Sequence, residues 1–288
     1  MDYEERLPPE HINTSDEHPL KELFVLLLGA VFVLGTVLFL VHHSAGWLAR
    51  QIPVETEQAL FAEATLVPDE QTTELNRYLN QRLQIVAQHM PLPEGMKVRL
   101  SVAASESVNA FASPGSHMVL MTGLLEKLPH ENALSMLIAH ELAHLAHRDP
   151  ISNYAEGAAL TLALAMLGTE IDFGAAESIT EMALLSYSRD MEDKADLAAL
   201  NALGAVYGHT AGAADLFRVL RAEGEKQDAM FLAVPSFLST HPAVAERIGL
   251  IPQRSLQAGY SDEGPLTPLP PGFKRWVKEL KTSSLETK

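Results

Sequence analysis

The sequence predicts an α+β domain, mostly helical with a small β-sheet, preceded by one transmembrane helix. Three observations lead there. Leu23–Val41 is an apolar run interrupted by one polar side chain, Thr36. The segments 131–148 and 174–203 read as helices. Between them and the apolar run, three short stretches over 97–122 read as strands.

The apolar run comes first. Its nineteen residues span about 28 Å as a helix, close to the roughly 30 Å hydrocarbon thickness of a bilayer. Lys21 and Arg50 flank it, and Trp47 is an interfacial anchor. A cleaved signal peptide opens with a short basic segment. Here the first twenty residues hold six acids and one arginine. Residues 22–42 are therefore expected to be a retained single-pass anchor in the lipid bilayer, behind an acidic tail, 1–21. Arg6 and Lys21 precede the span and Arg50 alone closely follows it. The positive-inside count leans by that one residue to a cytoplasmic N-terminus. The rest of the chain then lies outside the cytoplasm, in the periplasm of a Gram-negative cell.

Strands are expected at Lys97–Ala104, where Val98, Leu100 and Val102 alternate, and at Ser107–Ala112 and His117–Thr122. Pro114-Gly115 joins the last two as a hairpin turn. Phe111 is expected in the sheet core. In Glu131–Arg148, Leu134, Leu137, Ile138, Leu142 and Leu145 recur with helical period, between Pro129 and Asp149-Pro150. The apolar run Gly157–Gly168 is too short to span a membrane and is expected as a buried helix of the domain, with a membrane-contacting face as the alternative. Residues 174–203 contain no proline and one glycine, Gly174, and read as one long helix. Residues 261–272, rich in Pro and Gly, read as a linker, with a short helix at Phe273–Lys281 and a disordered polar end. The expected organisation is thus one domain over 55–256, with a linker and tail over 257–288.

Composition excludes several classes. There is no cysteine, hence no disulfide, no thiolate metal ligand and no cysteine nucleophile. A net charge of −16 argues against a nucleic-acid partner. No glycine-rich phosphate loop and no internal repeat are present.

The chemistry is concentrated in His140-Glu141-Leu142-Ala143-His144. Positions i and i+4 share one helix face, so both imidazoles reach one metal ion. Glu141 follows the first, where its carboxylate can take a proton from water activated by zinc. A catalytic zinc needs a third protein ligand. A metzincin has glycine and then histidine at the two following positions; here these are His147 and Pro150, which excludes that class. His147 lies roughly 10 Å along the helix from His140, too far to share an ion. The remaining source is Ser188-Arg189-Asp190-Met191-Glu192-Asp193-Lys194-Ala195-Asp196. Glu192 and Asp196 are i and i+4 on one face. Glu192 is expected to bind zinc. Asp196 is expected to accept the free ring N–H of a ligand histidine, with His140 the better placed. Ala195 is small enough for two helices to approach closely.

These residues resemble the gluzincin metallopeptidases of the M48 group, which include the Ste24-, HtpX- and Oma1-type enzymes. Further matches are Ser188-Arg189, Asn109-Ala110-Phe111-Ala112-Ser113-Pro114-Gly115, Val119-Leu120-Met121-Thr122-Gly123-Leu124-Leu125, and Thr240-His241-Pro242 with Arg247. The likeness runs from about Asn76 to Leu250; Ala143 stands where many relatives carry glycine. It implies a zincin-like (minigluzincin) fold and one zinc per chain. It also implies that Asn109, Ala110, Phe111 and Ala112 form an edge strand that holds protein or peptide substrate by backbone hydrogen bonds. His241 would either donate to the oxyanion or fill the open metal position in a latent state. Arg247 would pair with a carboxylate of the site or lie exposed. The implied activity is zinc-dependent endopeptidase, with envelope protein quality control as its setting by analogy. The alternative is a membrane-anchored zinc protein that binds other proteins without cutting them. A purely structural zinc site has no use for Glu141, which favours the enzyme.

Overall fold

The computed structural model describes residues 19–62, 73–166, 187–229, 241 and 244–286. The chain is mostly helical around one small mixed sheet. Helix α1 (Pro19–Ala49) contains the apolar run and extends past both its ends. By length and composition it is a candidate membrane span. Its one hydroxyl within the run, Thr36, donates to the Phe32 carbonyl at 2.8 Å, so no polar group there needs water. Pro53 opens α2 (Val54–Leu60). Thr73 caps α3 (Glu74–Ala87) by accepting the Asn76 N–H. Leu75, Leu79, Leu83 and Val86 form its buried stripe.

The sheet comprises β1 (Arg99–Ala103), β2 (Ala110–Ser113) and β3 (His117–Met121), in the order β1-β3-β2. β3 runs parallel to β1 and antiparallel to β2. The Pro114-Gly115-Ser116 turn places Gly115 at φ 81° and Ser116 at φ 60°, as a tight hairpin requires. The Asn109 carbonyl accepts the Met121 N–H. Asn109 and Phe111 therefore bond inward to β3, and the backbone groups of Ala110 and Ala112 face the sheet's free edge. Phe111, expected in the core, is half-buried, whereas Ala110 and Ala112 are fully buried. The pleat puts Phe111 on the opposite face from its two neighbours.

After α4 (Thr122–Leu125) comes the central helix, α5 (Glu131–His147), buried from Asn132 to Leu145. His130 caps it, accepting the Ala133 N–H at Nδ1. Glu131 at its first turn accepts hydroxyl bonds from Tyr78 (2.7 Å) and Tyr207 (3.0 Å) and pairs with Arg82 (3.2 Å). These contacts fix where α5 starts. Arg148 adopts a left-handed φ of 61° and ends it. α5 thus ends just before Asp149-Pro150, as expected, and a new helix, α6 (Asp149–Met166), starts at once. Proline is tolerated in a first helical turn. The expected buried helix at Gly157–Gly168 is thus the second half of a longer helix. Its Leu160 and Leu162 are exposed, and it packs along α1. Residues 167 and 168 lie outside the described residues.

Helix α7 (Arg189–Tyr207) differs from the helix expected over 174–203. Ser188 accepts the Met191 N–H and sets the start, and Gly208 at φ 78° closes the end. Residues 174–186 lie outside the described residues. α7 packs against α5, and Ala143 on α5 and Ala195, Ala199 and Ala202 on α7 are all fully buried. Helices α8 (Ala213–Ala229) and α9 (Val244–Gln257) complete the packing.

The segment 257–288, expected as linker and tail, is instead seated on the core as far as described. Thr267 accepts the Glu131 N–H and donates its own N–H to Asn132. The last helix, α10 (Phe273–Glu286), buries Phe273 and Val277, and Lys274 reaches the Leu128 carbonyl at 2.8 Å. The apolar face of this short helix outweighs the Pro/Gly-rich stretch before it.

The α5–α7 approach generates a prediction. Replacing Ala195 by Leu overpacks a site with no free space, and should destabilise the fold by about 1–3 kcal/mol and lower metal content by separating the two helices. Thermal unfolding and zinc analysis of the purified variant measure both.

Candidate active site

α5 projects His140, Glu141 and His144 from one face, and α7 brings Glu192 and Asp196 to meet them. All five are buried. His140 Nε2 and His144 Nε2 lie 3.2 Å apart. Glu192 places its two carboxylate oxygens 3.5 Å from His140 Nε2 and 3.4 Å from His144 Nε2. His241 Nδ1 lies 3.3 Å from His140 Nε2 and 2.7 Å from Glu192 Oε1. The four ligand atoms all fall within 4.8 Å of one another and could hold one metal ion. A tetrahedral zinc with bonds near 2.0–2.1 Å has ligand–ligand edges of roughly 3.3 Å. Most of the measured separations match that edge.

The far sides of the rings explain why their Nε2 atoms converge. His144 Nδ1 is 2.9 Å from Asp149, and His140 Nδ1 is 3.2 Å from Asp196. With the ring proton given to a carboxylate, each Nε2 lone pair points into the cluster. Lone pairs so close, beside a carboxylate, repel unless a cation lies between them. Glu141 makes the same point. Its carboxylate is fully buried and neither oxygen has a hydrogen-bond partner; His241 Nε2 lies 3.6 Å away. A buried unpaired carboxylate is strongly unfavourable, so this residue is built to face something further.

That combination, two helix-borne histidines, a glutamate from a second helix and an orphaned acid, matches a known group. The chain belongs to peptidase family M48. The family model covers residues 73–255, which include every residue of the cluster. Over 157 residues the chain is 29% identical to the mitochondrial metalloendopeptidase OMA1 of Schizosaccharomyces pombe, covering 53% of this chain and 45% of that protein. Over 217 residues it is 26% identical to the protein of the same name from Arabidopsis thaliana, covering 70% and 42%. The chain spans less than half the length of these curated relatives.

In this M48 peptidase Asp196 is the most heavily engaged side chain at the site. Arg247 bonds both its oxygens at 2.9 and 2.6 Å, and Arg254 reaches it at 2.5 Å. Burial alone would raise the Asp196 pKa; Arg247 and His140 hold it below the usual value. Arg247 also bonds Glu192 and lies over the Phe217 ring at 4.4 Å. Of the two sequence readings of Arg247, pairing with the site carboxylates is the observed one. The Glu192 pKa is pushed far down: burial raises it, but His241, His140 and His144 outweigh that. Burial lowers His241, against the pull of Glu192 and Glu141. Burial would likewise lower His144, yet Asp149 and Glu192 raise it to about 9.

Three participants were not found from the sequence. Asp149 served there only as a helix boundary, although a metal histidine needs a partner for its second nitrogen, and Asp149 lies five residues past His144. Arg254 lies about two helical turns beyond Arg247. Tyr187 stacks on the His144 ring (centroids 3.9 Å apart, 11° between planes) and donates its hydroxyl to the Ala112 carbonyl at 3.3 Å. It therefore links the outward edge of β2 to a metal-ligand candidate. Asn109, Ala110 and Ala112 are buried at this edge, and Asn109 Oδ1 accepts the Ala110 N–H at 2.9 Å. Thr240 and Pro242 lie outside the described residues.

The His144 pKa sets a pH dependence. A metal must displace its proton, so apparent zinc affinity should weaken about tenfold per pH unit as pH falls below about 9. The metal-free fold shows the opposite sign. A histidine with a raised folded pKa stabilises fully below its unfolded value, and that contribution is lost as pH rises through about 9. Asp149→Ala should reduce zinc affinity by about 10–100-fold. Competition titration of zinc at stepped pH checks both.

Proposed function

We propose that this M48 peptidase is a membrane-anchored zinc-dependent endopeptidase. The observation that carries the reading is Glu141, a buried acid whose oxygens have no hydrogen-bond partner, beside a four-ligand cluster. His140, His144 and Glu192 would hold one zinc ion, with Asp149 and Asp196 orienting the two rings. Bound zinc would supply Lewis-acid polarisation of the peptide carbonyl and lower the pKa of water at the site. Glu141 accepts the proton of the attacking water and delivers it to the leaving amine. The free edge of β2, through the backbone of Ala110 and Ala112, aligns an extended polypeptide substrate. Tyr187 must release the Ala112 carbonyl, and Asn109 Oδ1 the Ala110 N–H, for that strand to pair fully.

His241 sits where a fourth ligand belongs, which supports the latent-state reading over the oxyanion reading. Its imidazole must leave before water can take that position. α1 anchors the domain through residues 22–42. The positive-inside lean puts the domain outside the cytoplasm, where envelope protein quality control is the setting suggested by analogy. The relatives' mitochondrial location is a property of those proteins.

The test is casein and self-cleavage by the full detergent-solubilised chain, with zinc content measured alongside. A chelator should abolish cleavage. Glu141→Gln should lower kcat by a factor on the order of 10²–10⁴ with zinc retained. Unchanged cleavage in Glu141→Gln would remove Glu141 from the catalytic role, whereas no chelator-sensitive cleavage by the native chain would leave the non-proteolytic binding role. His241→Ala should keep its zinc and cleave faster than the native chain; a fall of about 10²-fold would return His241 to the oxyanion.

A further inference from the structure

Glu57 is a buried acid outside the metal cluster. It lies on α2, ahead of residue 73, where the M48 family model begins, and is 4% exposed. Each of its oxygens has a contact of its own. Oε1 accepts the Gly115 N–H at 2.8 Å. Oε2 pairs with Arg148 at 2.6 Å. The two partners belong to parts of the molecule with different work. Gly115 is in the turn that follows β2, the strand whose free edge would align substrate. Arg148 ends α5, which carries His140, Glu141 and His144. Directly after it comes Asp149, which touches the His144 ring at 2.9 Å.

Both contacts meet a need of the backbone. The β2–β3 ladder ends at the Ser113–His117 pair, so the Gly115 N–H has no strand partner, and Glu57 supplies the acceptor that a buried donor requires. Arg148 has a left-handed φ of 61°, uncommon for a residue with a side chain. Its guanidinium, paired with Glu57, also donates to the Ile52 carbonyl at 2.9 Å. A buried pair of this kind holds its members firmly, because losing one leaves the other charge unpaired in the interior. Neighbours of Glu57 brace the same joint. Phe61, at the end of α2, meets Tyr154 of α6 edge-on with ring centroids 5.1 Å apart. A Cβ added to Gly115 would fall 2.8 Å from the Phe61 Cβ. Gln58 donates to the Lys97 carbonyl, ahead of β1, at 2.8 Å. α2 is thus seated between the sheet and the end of the metal helix, and Glu57 touches both.

We propose that Glu57 is a positioning residue for peptide cleavage: it fixes the β2–β3 hairpin against the end of α5, and so sets how far the substrate edge stands from the metal. This rests on the reading of β2 as the strand that aligns substrate. A peptide paired to Ala110 and Ala112 is carried wherever the hairpin goes, whereas the metal ligands of α5 and Glu141 stay with that helix. A displacement of about 1 Å between the two costs up to about a hundredfold in rate. The loss falls on kcat. A shifted edge still binds the peptide through the same backbone groups, but presents its carbonyl out of line.

The test uses the full detergent-solubilised chain and an internally quenched peptide copied from a casein site that it cuts. Glu57→Ala removes both contacts, and Gly115→Ala disturbs the joint from the hairpin side. Each should lower kcat per bound zinc by about 10–100-fold, with KM changed by less than about threefold and zinc content retained. The visible spectrum of the cobalt-substituted variants should match that of the native chain, because the metal ligands do not move. Glu57→Gln keeps an acceptor for Gly115 but no charge for Arg148, and its kcat should fall between those of Glu57→Ala and the native chain. Where Glu57→Ala does not fold, Glu57→Gln and Gly115→Ala are judged by the same measure. A native kcat per bound zinc in the folded variants would overturn the proposal and leave Glu57 a structural residue. A cobalt spectrum altered together with kcat would also overturn it, and would route the effect of Glu57 to the metal through Arg148 and Asp149. A native chain that cuts no casein would overturn the peptidase reading itself, and this inference with it.

Discussion

The close approach of α7 to α5 is the constraint on which the site depends. Neither helix can build the cluster alone, because the spacing of a single helix puts only His140 and His144 within reach of one ion. Ala143 on α5 and Ala195, Ala199 and Ala202 on α7 are small and fully buried, and the packing of the two helices delivers Glu192 between the two histidines. Asp196, one turn further on, is then carried below His140 and into the reach of Arg247 and Arg254. A methylene added to this seam therefore affects the chemistry as well as the packing.

Charge explains why so many ionisable groups tolerate burial here. Glu141, Asp149, Glu192 and Asp196 bring four carboxylates into the interior, while Arg247 and Arg254 are the two buried guanidiniums beside them. With Arg50 on Asp149, three guanidiniums face these four carboxylates, which leaves the site net negative and suited to a cation. The raised His144 pKa is the same imbalance in a different form: without a cation, the pocket attracts a proton instead. Arg50, reaching Asp149 from the end of α1, ties the same charge network to the candidate membrane helix.

Much of the site was legible because helical periodicity is a reliable ruler. Separations of four residues within His140–His144 and Glu192–Asp196 translate directly into shared faces, and the requirement for a third ligand pointed across to Glu192. The ruler stops at Arg148. Its left-handed backbone turns the chain so that Asp149 doubles back onto His144, a contact that no regular period encodes. Tyr187 was equally hidden, since ring stacking on His144 depends on where the chain enters α7. The seating of residues 257–286 was missed for a different reason. A Pro/Gly-rich stretch marks the absence of regular structure, and says nothing about whether Thr267 and Phe273 find partners on the core. In α6, apolarity was read as burial in protein, whereas Leu160 and Leu162 are exposed.

In the proposed resting arrangement His241 would join His140, His144 and Glu192 around one metal ion. X-ray absorption at the zinc edge of the purified full-length chain tests this most directly. It should show a four-coordinate shell of nitrogen and oxygen at about 2.0 Å with scattering from three imidazoles. A zinc-free preparation after zinc reconstitution, or a six-coordinate oxygen shell lacking imidazole scattering, would contradict it.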